Sequence, residues 1–126
     1  MPFVCPECES PGALAITACI ELPPDSRSDE IALQVVECGR CGVRAVAVFE
    51  ESRRGSLDSE AVGHSGYRLP GETLDSLIAQ ISSCPDPANR GCRCESHRDL
   101  GMTDDSGRWC GFGTAAHGFP MRYSRE

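Results

Sequence analysis

Residues 38–49 read CGRCGVRAVAVF, two cysteines two residues apart, a glycine, and then a Val-rich run. Residues 5–8 read CPEC, with the same cysteine spacing. A CxxC pair brings two sulfurs close enough to share one ion, and two pairs supply the four thiolates of a tetrahedral zinc site. Cys5, Cys8, Cys38 and Cys41 are therefore read as one such site, each pair forming a knuckle. The small Gly42 after the second pair lets backbone amides turn toward the thiolates and relieve charge the metal leaves over.

Working outward, the 29 residues between the pairs hold two strands and a polar tip. From Ala13 to Leu22, the residues Leu14, Ile16, Ala18, Ile20 and Leu22 alternate with Ala15, Thr17, Cys19 and Glu21, which is the period of a strand. Pro23 and Pro24 stop it, Asp25–Glu30 forms a loop, and Ile31, Leu33 and Val35 mark a second strand paired with the first as a hairpin. Val43–Phe49 is the third strand. Residues 1–51 thus predict a three-stranded antiparallel unit stapled by metal, because its small aliphatic side chains make too slight a core to order the chain alone. Disulfides are the alternative state of these thiols, and the lack of a secretory signal argues against them.

At CPEC and CGRCG, with strands between and after them, residues 3–50 resemble the zinc-ribbon superfamily. The resemblance implies a fold and a metal but no particular function. A narrower similarity is to the ribbon of transcript-cleavage elongation factors of RNA polymerase. There an acidic pair at the hairpin tip helps hold a catalytic magnesium ion, and here Arg27, Ser28, Asp29 and Glu30 precede CGRCGVR. The chain lacks that family's Ala between Ser and Asp, its Pro after Glu, and its aromatic after Arg44. A solvated turn is the ordinary reading of Asp29 and Glu30.

Residues 52–69 carry three glycines and several hydroxyls without sustained periodicity, and predict a linker or surface loop. From Thr73 to Ser83, the spacing of Leu74, Leu77, Ile78 and Ile81 predicts an amphipathic helix, with Thr73 as its N-cap and Asp75 at the positive end of its dipole. Pro85 and Pro87 end it at Cys84. The segment CPDPANRGCRCESH, residues 84–97, holds three cysteines and a histidine and predicts a second zinc site of Cys84, Cys92, Cys94 and His97. Gly91 is read as permitting a tight turn before Cys92. Cys110 and His117 are alternative ligands for this site. Its CRC and later Cys and His resemble iron–sulfur proteins with a Cys3His cluster, but that family's CDGxH segment is absent. Residues 70–126 are thus a helix, a Cys/His metal knot and an irregular end anchored by Trp109, Phe112, Phe119, Met121 and Tyr123. Cys19 reads as a half-buried strand residue and His64 as exposed in a loop.

The whole is a small, metal-stapled α+β protein of 126 residues, of formal charge −7, whose basic residues are all Arg. Acids outnumber bases nine to three up to Glu51, so the first part repels phosphates and nucleic acid is not the expected partner. The start MPFVCPECE lacks the layout of a signal peptide, and no apolar run is long enough to span a bilayer, so a cytoplasmic protein without membrane contact is expected. No phosphate-cradling loop or Ser–His–Asp arrangement occurs. The expected function is a noncatalytic zinc-binding adaptor that docks a protein partner with a basic surface. The competing classes are a nucleic-acid or polymerase-associated ribbon and a small metalloenzyme or iron–sulfur redox protein, with Glu95 as the nearest general base to the second site.

Overall fold

The computed structural model describes residues 3–52, 61–111 and 117–122, with the side chains of 61, 62 and 117 excepted. Five strands form one antiparallel sheet in chain order: β1 (Leu14–Leu22), β2 (Glu30–Cys38), β3 (Arg44–Ser52), β4 (Ala61–Arg68) and β5 (His117–Pro120). Among the described residues, two helices, α1 (Gly71–Ser83) and α2 (Glu95–Leu100), join the sheet in a mixed α+β fold.

The sheet is wider than the three strands expected. The stretch expected as linker pairs over Ala61–Arg68 with β3, and His117–Pro120 of the supposedly irregular end pairs with β4. Glycines hid both strands. Gly66 leaves room for the ring of Phe119 on β5, which lies 2.3 Å from where a Cβ would stand, so the glycines that weaken a strand pattern here admit an aromatic. Residues 53–60 of the expected linker, together with Phe112 and Tyr123, lie outside the described residues.

Strand β2 lies between β1 and β3, and both its faces are buried. Ile31, Leu33 and Val35 meet Ile20 and Leu22 of β1, Val46 and Val48 of β3, and the apolar stripe Leu74, Leu77 and Ile81 of α1. On the opposite face, Val36 and Cys38 pack with Leu14, Ala45, Ala47, Phe3, Cys5 and Met121. Strand β1 serves both faces through a bulge between Ile16 and Ala18. The extra residue, Thr17, hydrogen-bonds through Oγ1 to the Val35 carbonyl at 3.3 Å. A slip of one residue moves side chains to the other face, so Leu14 and Ile16 do not share the face of Ala18, Ile20 and Leu22 as simple alternation predicts. Ile16 is 38% exposed.

Helix α1 begins earlier than expected. Pro70, with φ −53°, is its N-cap without any side-chain cap, and Thr73 lies inside the first turn. Proline presets the dihedral and lacks the N–H that a cap would have to satisfy. Asp75 pairs with Arg44 of β3 at 3.2 Å, which ties the helix to the sheet at the surface.

The β1–β2 tip is gripped by the second half of the chain. Asp25 Oδ1 accepts from the N–H groups of Arg27 and Ser28 at 2.8 and 2.6 Å, and its Oδ2 accepts from Trp109 N at 2.7 Å. Ser26 N donates to Gly107 O at 2.9 Å. Gly107 has φ +82°, and a Cβ there would lie 3.2 Å from Ser26 Cβ. Burial would push the Asp25 carboxyl up, but the N–H donors of Trp109, Ser28 and Arg27, with Arg108 nearby, outweigh it and hold the group below its usual range. Because the folded value is depressed, this stabilisation is present above the ordinary carboxylate range and is lost as pH falls through the lowered value. Asp25→Ala is expected to cost about 1–3 kcal/mol, since two or three N–H donors lose their acceptor. Urea unfolding followed by the fluorescence of Trp109 checks it, and an unchanged midpoint counts against the clamp.

Candidate metal centres

The first centre is built from two knuckles of the same construction. Cys5 and Cys8 precede β1, while Cys38 ends β2 and Cys41 lies in the turn to β3. In one knuckle Glu9 N donates to Cys5 O at 2.9 Å, and in the other Gly42 N donates to Cys38 O at 3.0 Å. Glu7 N points at Cys5 Sγ at 3.4 Å, matched by Arg40 N at Cys38 Sγ at 3.3 Å. The residue after the second cysteine takes a left-handed backbone in both cases, Glu9 at φ 56° and Gly42 at φ 80°. The knuckles are held against each other by Gly39 N donating to Ala13 O at 2.9 Å.

This packing gathers all four sulfurs within 4.8 Å of one another. Cys5 Sγ and Cys41 Sγ are 3.6 Å apart, and Cys8 Sγ and Cys38 Sγ 3.7 Å. Four thiolates at the ordinary zinc–sulfur distance of ~2.3 Å stand ~3.8 Å apart on the edges of a tetrahedron, so the donor set fits that ion. Cys5 and Cys38 are buried, whereas Cys8 and Cys41 face solvent.

The second centre joins Cys84, at the C-cap of α1, to Cys92, Cys94 and His97, again within 4.8 Å. Cys84 Sγ lies 3.9 Å from Cys92 Sγ and 3.1 Å from His97 Nδ1, and Cys94 Sγ lies 3.3 Å from the same nitrogen. His97 Nε2 is 3.0 Å from Glu21 O on β1. A carbonyl only accepts, so Nε2 carries the proton and Nδ1 turns its lone pair toward the sulfurs, as a metal-binding imidazole requires. Cys94 is the N-cap of α2, its sulfur accepting from His97 N at 3.3 Å. His97 therefore sits in the first turn of a helix. Gly91 is not in the left-handed region; its N–H donates to Asn89 Oδ1 at 2.9 Å, and Cys92 N to Asn89 O at 3.0 Å. The asparagine side chain forms this turn.

Backbone donors also set the thiol chemistry. The N–H of Cys41, with that of Arg40, outweighs burial and brings Cys38 down to about 6. The N–H and ring of His97 bring Cys94 down to about 6. Burial, with the neighbouring thiols of Cys94 and Cys92, pushes Cys84 up to about 11. Each centre thus has a sulfur poised as thiolate near neutral pH.

The remaining candidates fall elsewhere. Cys110 is exposed and belongs to neither group, and the side chain of His117 lies outside the described residues. Cys19 is half-buried on β1. His64, expected exposed, is half-buried on β4, with Nε2 2.8 Å from Gln34 Oε1 and edge contacts to Phe3 and Phe49. Asp29 and Glu30 are held within the fold: Arg90 donates to Asp29 O at 3.0 Å and pairs with Glu30 at 3.5 Å. Glu95 lines an open groove of about 410 Å³ with Gln80, Ser83, Cys94, Ser96 and Asp99. Sequence reasoning missed the Glu21 carbonyl behind His97, which no side-chain pattern reveals. It also missed α2, although a cysteine three residues before a histidine is the spacing of a capped first turn.

The twin knuckles predict opposite responses at equivalent positions. Gly42→Ala forces a Cβ into the left-handed region and is expected to cost about 1–2 kcal/mol, whereas Glu9→Gly removes strain already present and is expected to be neutral or stabilising by up to about 1 kcal/mol. Urea titrations of both variants decide this, and equal losses would break the equivalence. Compared with protein-family models, curated proteins and solved structures, the chain matches none of them.

Proposed function

We propose that the chain is a noncatalytic protein carrying two zinc ions, with Cys5, Cys8, Cys38 and Cys41 holding one and Cys84, Cys92, Cys94 and His97 the other. Its N-terminal part is read as a zinc ribbon extended by β4 and β5. The observation that carries this is the count of donors: each group brings four Cys or His atoms within 4.8 Å, enough to close a tetrahedron. A catalytic zinc keeps a position open for water or substrate, and a closed set does not. The Glu95 groove therefore has no vacant coordination site to serve.

With metal in a structural role, the product is a set of rigid loops on a short chain. Preorganised loops reduce the entropic cost of docking, which suits an adaptor that binds another protein. The excess of nine acids over three bases up to Glu51 favours a basic partner surface and disfavours nucleic acid. Of the acidic pair, Glu30 has its carboxylate paired with Arg90 at 3.5 Å, which disfavours the free acidic tip that a polymerase-cleavage factor would need. Among the described residues, no helix is long and apolar enough to cross a membrane.

Metal analysis of untagged protein is expected to give about two zinc ions per chain and no visible absorption; brown protein with iron and sulfide would reject the reading. Cys38→Ser is expected to lose about one ion and the dispersed amide spectrum around β1 to β3.

Zinc uptake is also expected to weaken as pH falls. Cys84, pushed up to about 11, must shed its proton on binding, and Cys38 and Cys94 become protonated as pH drops through about 6. Calorimetry in buffers of different ionisation enthalpy checks the sign, since protons must be released at pH ~7. Uptake without proton release would contradict it.

A further inference from the structure

We propose, resting on the reading that both centres hold zinc, that the first centre is an oxidation site. A peroxide-class oxidant joins its thiolates into disulfides between the two knuckles and expels the ion, while the second centre keeps its own.

The two centres differ in what solvent can reach. At the first, Cys8 and Cys41 are exposed. At the second, Cys84 and His97 are buried and Cys92 and Cys94 are only half-exposed. They also differ in charge: four thiolates on a divalent ion leave a net charge of about −2, while three thiolates and a neutral imidazole leave about −1. The first set is the more electron-rich as well as the more open, and nucleophilic sulfur at an accessible place is what peroxides oxidise.

The geometry also supplies resolving partners. The exposed Cys8 has the buried Cys38 at 3.7 Å, and the exposed Cys41 has the buried Cys5 at 3.6 Å. Each reactive sulfur thus faces a sulfur of the opposite knuckle. The thiolate of Cys8 attacks one oxygen of the peroxide, forming the sulfenic acid and releasing hydroxide. The thiolate of Cys38 then attacks that sulfur, forming the S–S bond and releasing a second hydroxide. Two thiolates and one hydrogen peroxide become one disulfide and two hydroxides, and the same step joins Cys41 to Cys5. The ion, left without thiolate ligands, departs. Because both disulfides run between knuckles, they keep the cross-link that the metal supplied, and a thiol reductant with zinc restores the starting state.

The experiment uses the full zinc-loaded chain, titrated with hydrogen peroxide in the presence of a chromogenic zinc chelator. Disulfides are mapped after cleavage at Glu7, Arg27 and Arg40, which separates all four cysteines. The expected result is release of about one of two ions, bonds Cys8–Cys38 and Cys5–Cys41, and intact Cys84, Cys92 and Cys94. A Cys110→Ser form, lacking the exposed thiol outside both centres, is expected to behave identically. Loss of both ions together, earlier oxidation of Cys84, or disulfides confined to residues 5–8 and 38–41 would overturn the proposal alone. A chain isolated with no zinc would overturn it together with the reading beneath it.

Discussion

Four sulfur atoms at the meeting point of two knuckles form the constraint on which the N-terminal half depends. As thiolates they repel one another, and as thiols at 3.6–3.7 Å they are weak hydrogen-bond partners. A shared cation, as proposed above, would make that crowding favourable and would bind the loop at residues 5–8 to the β2–β3 turn, in keeping with the register of β1 on β2. Leu14 is opposite Cys38, so the first residue of one strand meets a sulfur donor of the next.

That register sets up a conflict, and the bulge resolves it. Near Cys38, strand β1 must turn Leu14 toward the cluster of Phe3, Cys5 and Met121. Nearer its end it must turn Ile20 and Leu22 toward α1. Leu14 and Ile20 are an even number of residues apart, so a regular strand would put them on one face. One extra residue at Thr17 puts them on opposite faces. The bulge is thus a consequence of serving a cysteine knuckle at one end and a helix-covered core at the other.

Much of this was legible in the residues. The two CxxC pairs, the alternation around β1 to β3 and the helical spacing of Leu74, Leu77 and Ile81 each carry their own local signal, and the donor groups expected from spacing are the ones the fold gathers. What could not be read depends on long-range partners. Gly63 and Gly66 look like loop residues until Phe119 is placed over the second of them. Alternation cannot announce a bulge whose cause is a cluster at each end of the strand. Asp25 reads as a turn residue, and nothing nearby in sequence says that Trp109 N will find its carboxylate. His64 sits among glycines, and its surroundings, Phe3, Gln34 and Phe49, come from three other segments.

The two centres act on the same strand from opposite ends. At the start of β1, Phe3 bridges Leu14 and Gly39 N reaches Ala13 O beside the first centre. At its finish, His97 of the second centre donates to Glu21 O, and Glu21 N donates to Pro87 O in the loop between Cys84 and Cys92. β1 is the outermost strand on its side of the sheet, the position whose unpaired backbone invites association with another chain. Its outer edge is satisfied at both ends by segments that the donor groups hold, and its middle is distorted by the bulge, which makes it a poor template for a further strand. The second centre therefore does more than order its own loop: through one imidazole nitrogen and one proline carbonyl, it closes the edge of the sheet that the first centre begins.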